Sequence, residues 1–300
     1  MLNLKTDIPF INYFRVFNII SLIVILISVG SIFYKGLNFG VDFKGGTLIE
    51  LRVDSEEITI SDVRNSFLRM NLGDVNVKKF GKEGDYLIKF EKTDINNENF
   101  IENIRKKLSK NFGANFNFRR VENVGPKVSS ELLKDGLIAI VLSLSAMLIY
   151  IWIRFEWQFS LGAIVALIHD VIITIGFFSI FEFEINLSIV AAVLTIVGYS
   201  MNDTVVIFDR VRENLKKYTS KKIDEISNLS INETLSRTII TSSTTLLALL
   251  SIFFFGGTIL HGFSFAMILG VIFGTYSSIF IANPILIKLK VNQKSVLKED

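Results

Sequence analysis

The chain has 300 residues, half of them hydrophobic, with 27 Phe, only 20% charged residues, a net charge of +3 and a mean hydropathy of +0.47. This composition excludes a long disordered chain and an ordinary soluble domain, and it fits a polytopic membrane protein. With no Cys and two His, neither a disulfide framework nor a multi-His metal site can be built, and the small net charge argues against a nucleic-acid partner.

A membrane helix needs about 20 apolar residues. The first candidate span lies between Arg15 and Lys35, 19 residues without a charge. Tyr34-Lys35-Gly36-Leu37 offers no small-x-small cleavage site, so this span reads as an uncleaved anchor. The region after it, as far as Lys134, carries 18 basic and 15 acidic residues and reads as a water-soluble module.

Within that module Ile49, Leu51 and Val53 alternate in a strand over 47–53. Ile60, Val63, Phe67 and Met70 recur at helical spacing, with Thr59 or Ser61 as N-cap and Gly73 as stop. A second strand covers 75–80. After the turn Gly81-Lys82-Glu83-Gly84, Tyr86, Ile88 and Phe90 alternate in a third. Ile104 and Leu108 mark a second helix ended near Gly113, and Phe116 and Phe118 a fourth strand. The order βαββαβ predicts a ferredoxin-like unit. Its acids are scattered and it has no His, so it holds no catalytic set.

Five more spans follow by hydropathy. One lies between Asp135 and Arg154, one over 158–181, and one over 185–208. From Arg237 to Lys288 no charge occurs, which is too long for one span; Gly256, Gly257 and His261-Gly262 divide it near 237–256 and 262–287. Gly270 and Gly274 give the last span a G-x-x-x-G step, which permits close helix approach. The expected fold is therefore six transmembrane helices with the βαββαβ domain between the first and second. The domains are 1–35 (tail and first helix), 36–133 (external domain), 134–290 (helices two to six) and 291–300 (C-terminal tail).

Lys and Arg in the short segments set orientation. Lys5, Arg15, Arg154, the run Arg210–Lys222, and Lys288, Lys290, Lys294 and Lys298 all fall on one side of six spans. Both termini are thus expected in the cytoplasm and residues 35–134 outside.

Charges inside spans are costly and face a cavity or a partner. Asp203 and Arg237 lie at compatible depths in the fourth and fifth spans. An ion pair between them, extended by Ser200, Asn202, Thr204, Thr241, Thr244 and Thr245 as a polar seam, would make a protonation switch. The competing readings are a static pair that fixes packing, and an Arg237 that snorkels to the interface. His169 and Asp170 form a further intramembrane polar site, read as helix packing or hydrogen bonding because a metal would need a third ligand. His261 reads as a solvated loop residue. No Gly-x-Gly-Asp or Gly-x-Ser-Gly signature supports an intramembrane protease.

Four segments resemble a known family. Gly40-Val41-Asp42-Phe43-Lys44-Gly45-Gly46-Thr47 resembles the signature opening the external domain of the SecD/SecF protein-export membrane proteins. Residues 121–132, Val-Glu-Asn-Val-Gly-Pro-Lys-Val-Ser-Ser-Glu-Leu, resemble the segment entering their second span. Residues 198–214, Gly-Tyr-Ser-Met-Asn-Asp203-Thr-Val-Val-Ile-Phe-Asp209-Arg210-Val-Arg212-Glu213-Asn214, and 232–245, which open Asn-Glu-Thr-Leu-Ser-Arg237, are similar to the fourth and fifth spans of the SecF branch.

The resemblance implies a place in the resistance-nodulation-division superfamily and in the bacterial cytoplasmic membrane. It implies use of the proton-motive force, or of sodium in some relatives, to help preproteins emerge, and no catalytic residues or cofactor. The implied partners are SecD as an obligate companion, the SecYEG channel, YajC and YidC, unfolded preprotein and membrane lipid, but no nucleic acid. It implies that Asp203 and Arg237 belong to the ion-coupling site, and that Gly40, Asp42, Phe43, Gly45 and Gly46 form a structured strap. A purely structural subunit and an independent small-molecule exporter are the alternatives.

Overall fold

The computed structural model describes residues 7–54, 58–79, 83–91 and 99–293. Lys5, Phe80, the Gly81-Lys82 half of the expected turn, Lys294 and Lys298 lie outside the described residues. The chain divides into two compact units, Phe39–Leu137 and the remainder, 1–38 with 138–300.

The first unit opens with a single helical turn, α2 (Val41–Lys44), counting α1 (Phe10–Lys35) as the first helix. Gly45 and Gly46 follow at φ 76° and 116°. These left-handed values suit glycine, and a Cβ on Gly46 would lie 2.7 Å from the Phe90 carbonyl oxygen. The elements β1 (Gly46–Val53), α3 (Ile60–Leu68), β2 (Val75–Lys79), β3 (Asp85–Phe90), α4 (Phe100–Phe112) and β4 (Phe116–Val124) then run in the expected βαββαβ order. The antiparallel sheet is ordered β2-β3-β1-β4.

Thr59 caps α3: its hydroxyl accepts from the Asp62 amide while Asp62 accepts from the Thr59 amide. Gly113, left-handed, ends α4. Alternation puts Ile49, Leu51, Ile88 and Phe90 on one side of the sheet, where they pack with Val63 and Phe67 of α3 and Ile104 and Leu108 of α4. Opposite them, Glu50 meets Arg120 at 3.4 Å, and Arg52 clasps Asp85 with two bonds of 2.6 and 2.7 Å.

The second unit is a helical bundle of α1, the lower part of α5 (Pro126–Arg154), α6 (Trp157–Ile180), α7 (Leu187–Lys217), α8 (Ile223–Phe255), α9 (Thr258–Ser277), a π turn (Ser278–Ala282) and α10 (Asn283–Lys288). Among the described residues six helices are long and apolar enough to cross a membrane, the last running through the π turn from Leu260 to Lys288. The chain is a multi-pass membrane protein.

α6, α7 and α9 are the central helices. α1, α5 and α8 are peripheral and leave apolar side chains such as Leu26, Leu142 and Leu247 exposed. In water that would be a liability; in hydrocarbon it is the ordinary outer face. Glycines set the close contacts. A Cβ at Gly176 would lie 2.2 Å from Ser28 Cβ, so α1 seats directly on α6. Gly270 and Gly274 seat α9 on Ile196 and Ser200 of α7, so the G-x-x-x-G step packs within the bundle.

Three details depart from the expectation. The charges between the fourth and fifth spans sit mostly on helices, because α7 runs to Lys217 and α8 begins at Ile223. Hydropathy ends where charge begins, but backbone hydrogen bonding continues wherever one face stays buried, as Val211, Leu215, Ile226 and Ile231 do. His261 is not a solvated loop residue: it lies in the first turns of α9 and stacks on Phe253 at 3.9 Å. Finally, the last span widens into the π turn before Pro284, which lacks an N–H and crowds the carbonyl four residues back. Asn283 donates its side-chain N–H to the Ser278 carbonyl across that turn at 2.8 Å.

Candidate functional site

α7 places its polar residues on different faces. Ser200, Asp203 and Thr204 are buried, whereas Asn202 is exposed and takes no part in the site. Asp203, 3% exposed, is met by two hydroxyls: Ser242 Oγ of α8 at 3.4 Å and Thr275 Oγ1 of α9 at 3.2 Å, both on Oδ2. Those hydroxyls also bond each other at 2.7 Å. Asp203 thus sits where three helices meet.

The expected Asp203–Arg237 ion pair does not form among the described residues. Arg237 is exposed, on the side of α8 away from Ser242. Five residues at ~100° each put the two roughly 140° apart around the helix axis. Nor do the expected threonines reach Asp203. Thr241 bonds the Arg237 and Thr238 carbonyls, Thr244 the Ile240 and Thr241 carbonyls, and Thr245 the Thr241 carbonyl, all on their own helix. The seam between α7 and α8 therefore runs through Ser242, one residue out of phase with the expectation.

Asp170 of α6 is fully buried. Its Oδ1 lies 2.8 Å from His169 Nδ1, and its Oδ2 accepts from Ser200 Oγ and Ser277 Oγ, each at 2.7 Å. The imidazole of His169 stacks on Tyr276 (centroids 6.0 Å, 21°), whose hydroxyl bonds Ser21 and the Phe17 carbonyl of α1. Ser278 bonds Thr204 at 2.8 Å. Four consecutive residues, Thr275 to Ser278, therefore contact four other helices and both buried aspartates.

An Asp at the centre of a membrane helix costs roughly 2.5–3.5 kcal/mol on insertion scales. Here the groups within hydrogen-bond reach are hydroxyls, at 3.2 and 3.4 Å from Asp203 and 2.7 Å from Asp170, with the Arg237 charge acting on Asp203 from beyond ion-pair distance. Ser242 and Thr275 have one hydroxyl hydrogen each for three contacts, so two of the three are hydrogen bonds at a time; a carboxylate there accepts only, whereas a protonated carboxyl can also donate. The aspartates, hydroxyls and His169 offer no metal centre: among the described residues no group of three or more His, Asp and Glu converges.

At the far end of α7, the run Asp209–Asn214 ties three helices. Arg154 of α5 meets Asp209 at 3.0 Å, Arg210 meets Glu233 of α8 at 2.6 Å, and Asn214 donates to Ser230 and Glu233 at 3.0 and 2.7 Å. In the other unit, Gly40, Phe43 and Gly46 are buried and Asp42 is half-buried. The turn they form packs on β1 and β4, where Gly45 lies against Val124 and Ser129.

Comparison with known proteins gives matches over most of the chain. The description "Protein export membrane protein SecD/SecF, C-terminal" matches residues 104–292, and "SecD/SecF GG Motif" matches 30–57, which contains Gly45 and Gly46. A protein translocase subunit SecF from Rickettsia bellii is 49% identical over 283 residues, 94% of this chain and 93% of that one. One from Rickettsia rickettsii is 46% identical over 296 residues, 97% and 96%. Among solved structures, SecDF from Thermus thermophilus, a translocon-associated membrane protein, superposes with a TM-score of 0.87 at 32% identity over 97% of this chain. This chain spans 40% of that one. SecDF in a super-membrane-facing form gives 0.71 at 31% identity. With its six spans, its βαββαβ insertion and the GG turn, the chain belongs to the SecF branch of the SecD/SecF family of protein-export membrane proteins.

Proposed function

We propose that the chain works with SecD to use the proton-motive force in assisting preprotein translocation through the SecYEG channel, with Asp203 as the residue that takes up and releases the proton. The observation that carries this is the Asp203 carboxylate itself. It is buried within α7, in contact with two neutral hydroxyls, at the junction of α7, α8 and α9. Protonation changes it from acceptor to donor and so changes how three helices are tied. A group placed only for packing gains nothing from a charge at that depth.

Arg237 takes a different part from the one its depth implied. It stands on an exposed strip of α8 with Thr244 and Ser251. Polar groups on the outside of a membrane helix call for a protein neighbour or a wet crevice. SecD supplies that neighbour, with Arg237 completing the ion-coupling site across the interface. The complex lies in the bacterial inner membrane, with both termini cytoplasmic and the βαββαβ unit outside, where emerging preprotein meets it. YajC, YidC and lipid are its further neighbours.

The test is preprotein export in cells carrying Asp203→Asn, which keeps size and removes charge, with SecD association measured in the same membranes. Export at the level of a deletion with an intact complex supports the proposal. Normal export refutes it in favour of a purely structural subunit. An independent small-molecule exporter would instead keep its activity without SecD.

A further inference from the structure

We infer that Asp170 is a positioning residue for the Asp203 site. From α6 it accepts one hydroxyl hydrogen from α7 and one from α9, and so fixes the spacing of the two helices that carry Asp203 and Thr275. The position needs an acceptor and not a charge. This rests on the role proposed for Asp203 and says how that site is held in place.

The contacts converge on one atom. Oδ2 of Asp170 lies 2.7 Å from Ser200 Oγ and 2.7 Å from Ser277 Oγ. All three side chains are buried. A carboxyl or amide oxygen has two lone pairs, so it satisfies both donors at once. The two helices are already close at this level, because a Cβ on Gly274 of α9 would lie 3.0 Å from Ser200 Cβ of α7. Asp203 follows Ser200 by three residues, about one turn along α7, and Thr275 precedes Ser277 by two on α9. The tie at Asp170 and the contact at Asp203 therefore use the same two helices, about one turn apart.

The alternative open to Ser277 shows why the acceptor matters. Its hydroxyl has one hydrogen and a second acceptor in reach, the Gly274 carbonyl of its own helix at 3.2 Å. Without Asp170 the hydroxyl turns to that carbonyl, as serines within helices do, and its tie to α6 is gone. α9 then loses one of the contacts that keep Thr275 at 3.2 Å from Asp203. A leucine would fill the same space at less cost in a membrane helix; what it lacks is the accepting oxygen. Asn keeps that oxygen. The remaining contact, Oδ1 to His169 Nδ1 at 2.8 Å, allows either partner to donate, and an Asn amide can donate to a bare Nδ1. Asn thus reproduces all three contacts of Asp170 without the charge.

The test is preprotein export per assembled complex, with the full chain and SecD in membrane vesicles. The variants are Asp170→Asn, Asp170→Leu, Ser277→Ala and Thr275→Val, with Asp203→Asn run beside them. We expect Asp170→Leu to lower export about tenfold, the order of one lost hydrogen bond, and Asp170→Asn to recover most of that loss. Because Asp170 acts through the placement of Thr275, Asp170→Leu should add little in a Thr275→Val background. General damage to the fold would instead multiply through that cycle. If Asp170→Leu does not assemble, Ser277→Ala takes its place in the cycle. An Asp170→Asn as poor as Asp170→Leu, or effects that multiply fully with Thr275→Val, overturns the inference. Normal export by Asp203→Asn would remove the reading on which it rests. An inactive Asp203→Asn beside an equally inactive Asp170→Asn would remove this inference alone.

Discussion

Gly270→Ala tests whether the close approach of α9 to α7 is what builds the site. The new methyl would sit 2.3 Å from Ile196 Cγ1, 2.8 Å from Cδ1 and 2.9 Å from Cγ2, all inside van der Waals contact and all side-chain atoms. Overpacking of this kind costs about 1–3 kcal/mol, from which up to about 1 kcal/mol is recovered because Ala is the better helix former. Ile196→Ala alone removes a fully buried side chain and should cost about 2–5 kcal/mol. The double variant deletes the clashing atoms and returns one methyl to the space, so it should be no less stable than Ile196→Ala alone. The coupling is then roughly 1–2 kcal/mol in favour of the pair. Reversible unfolding in mixed micelles, followed by fluorescence of Trp152 and Trp157, measures all four corners. Strict additivity would refute the packing argument. Thr275 lies five residues beyond Gly270, so pushing α9 off α7 lengthens the 3.2 Å contact to Asp203, and export should fall with Gly270→Ala and recover in part in the double variant.

Ser242→Ala and Thr275→Val should each reduce export, while Thr244→Val, whose hydroxyl bonds only its own helix, should not; equal effects would mean the hydroxyls act through helix propensity. In an excised segment 39–137, Thr59→Ala removes the α3 cap and should cost about 1 kcal/mol in urea unfolding. Burial raises the Glu50 carboxyl above its ordinary 4.5, with Arg120 pulling it back. The native state then holds a proton that the unfolded chain has already released, so this group subtracts stability as pH climbs from the ordinary value through the native one. Glu50→Gln should flatten the fall over that window and change nothing well below it; an unchanged slope in the same urea titration would exclude Glu50 as its source.

The spans and the βαββαβ order were legible because burial writes a pattern into sequence: a period of two for Ile49, Leu51 and Val53, and a charge-free, mostly apolar run over 16–34. What periodicity could not supply was phase. Thr241 and Ser242 are neighbours of similar chemistry, and a 100° difference decides which one meets Asp203. Thr241, Thr244 and Thr245 look like a seam by spacing, yet each hydroxyl is spent on a carbonyl of its own helix. The partners of Asp170 were harder still, because Ser200 and Ser277 lie 30 and 107 positions away. The only sign of them was small residues gathered around Gly274, where close approach lets short side chains touch. Spacing gives the depth of Arg237 but not its azimuth, so an inward partner and a residue snorkelling to the interface look alike in sequence.

α7 does not stop where its apolar stretch does. It continues 14 residues past Asp203 to Lys217 without a break, about 21 Å at the helical rise. A straight rod of that length turns small rotations into travel, roughly 0.4 Å at Lys217 for every degree of tilt about Asp203. Glu233 of α8 and Arg154 of α5 are fastened to the same stretch, so the two neighbouring helices are pulled along rather than slid past. A ten-degree rocking about Asp203 would thus arrive roughly 4 Å wide at Lys217, with no segment folding or unfolding on the way.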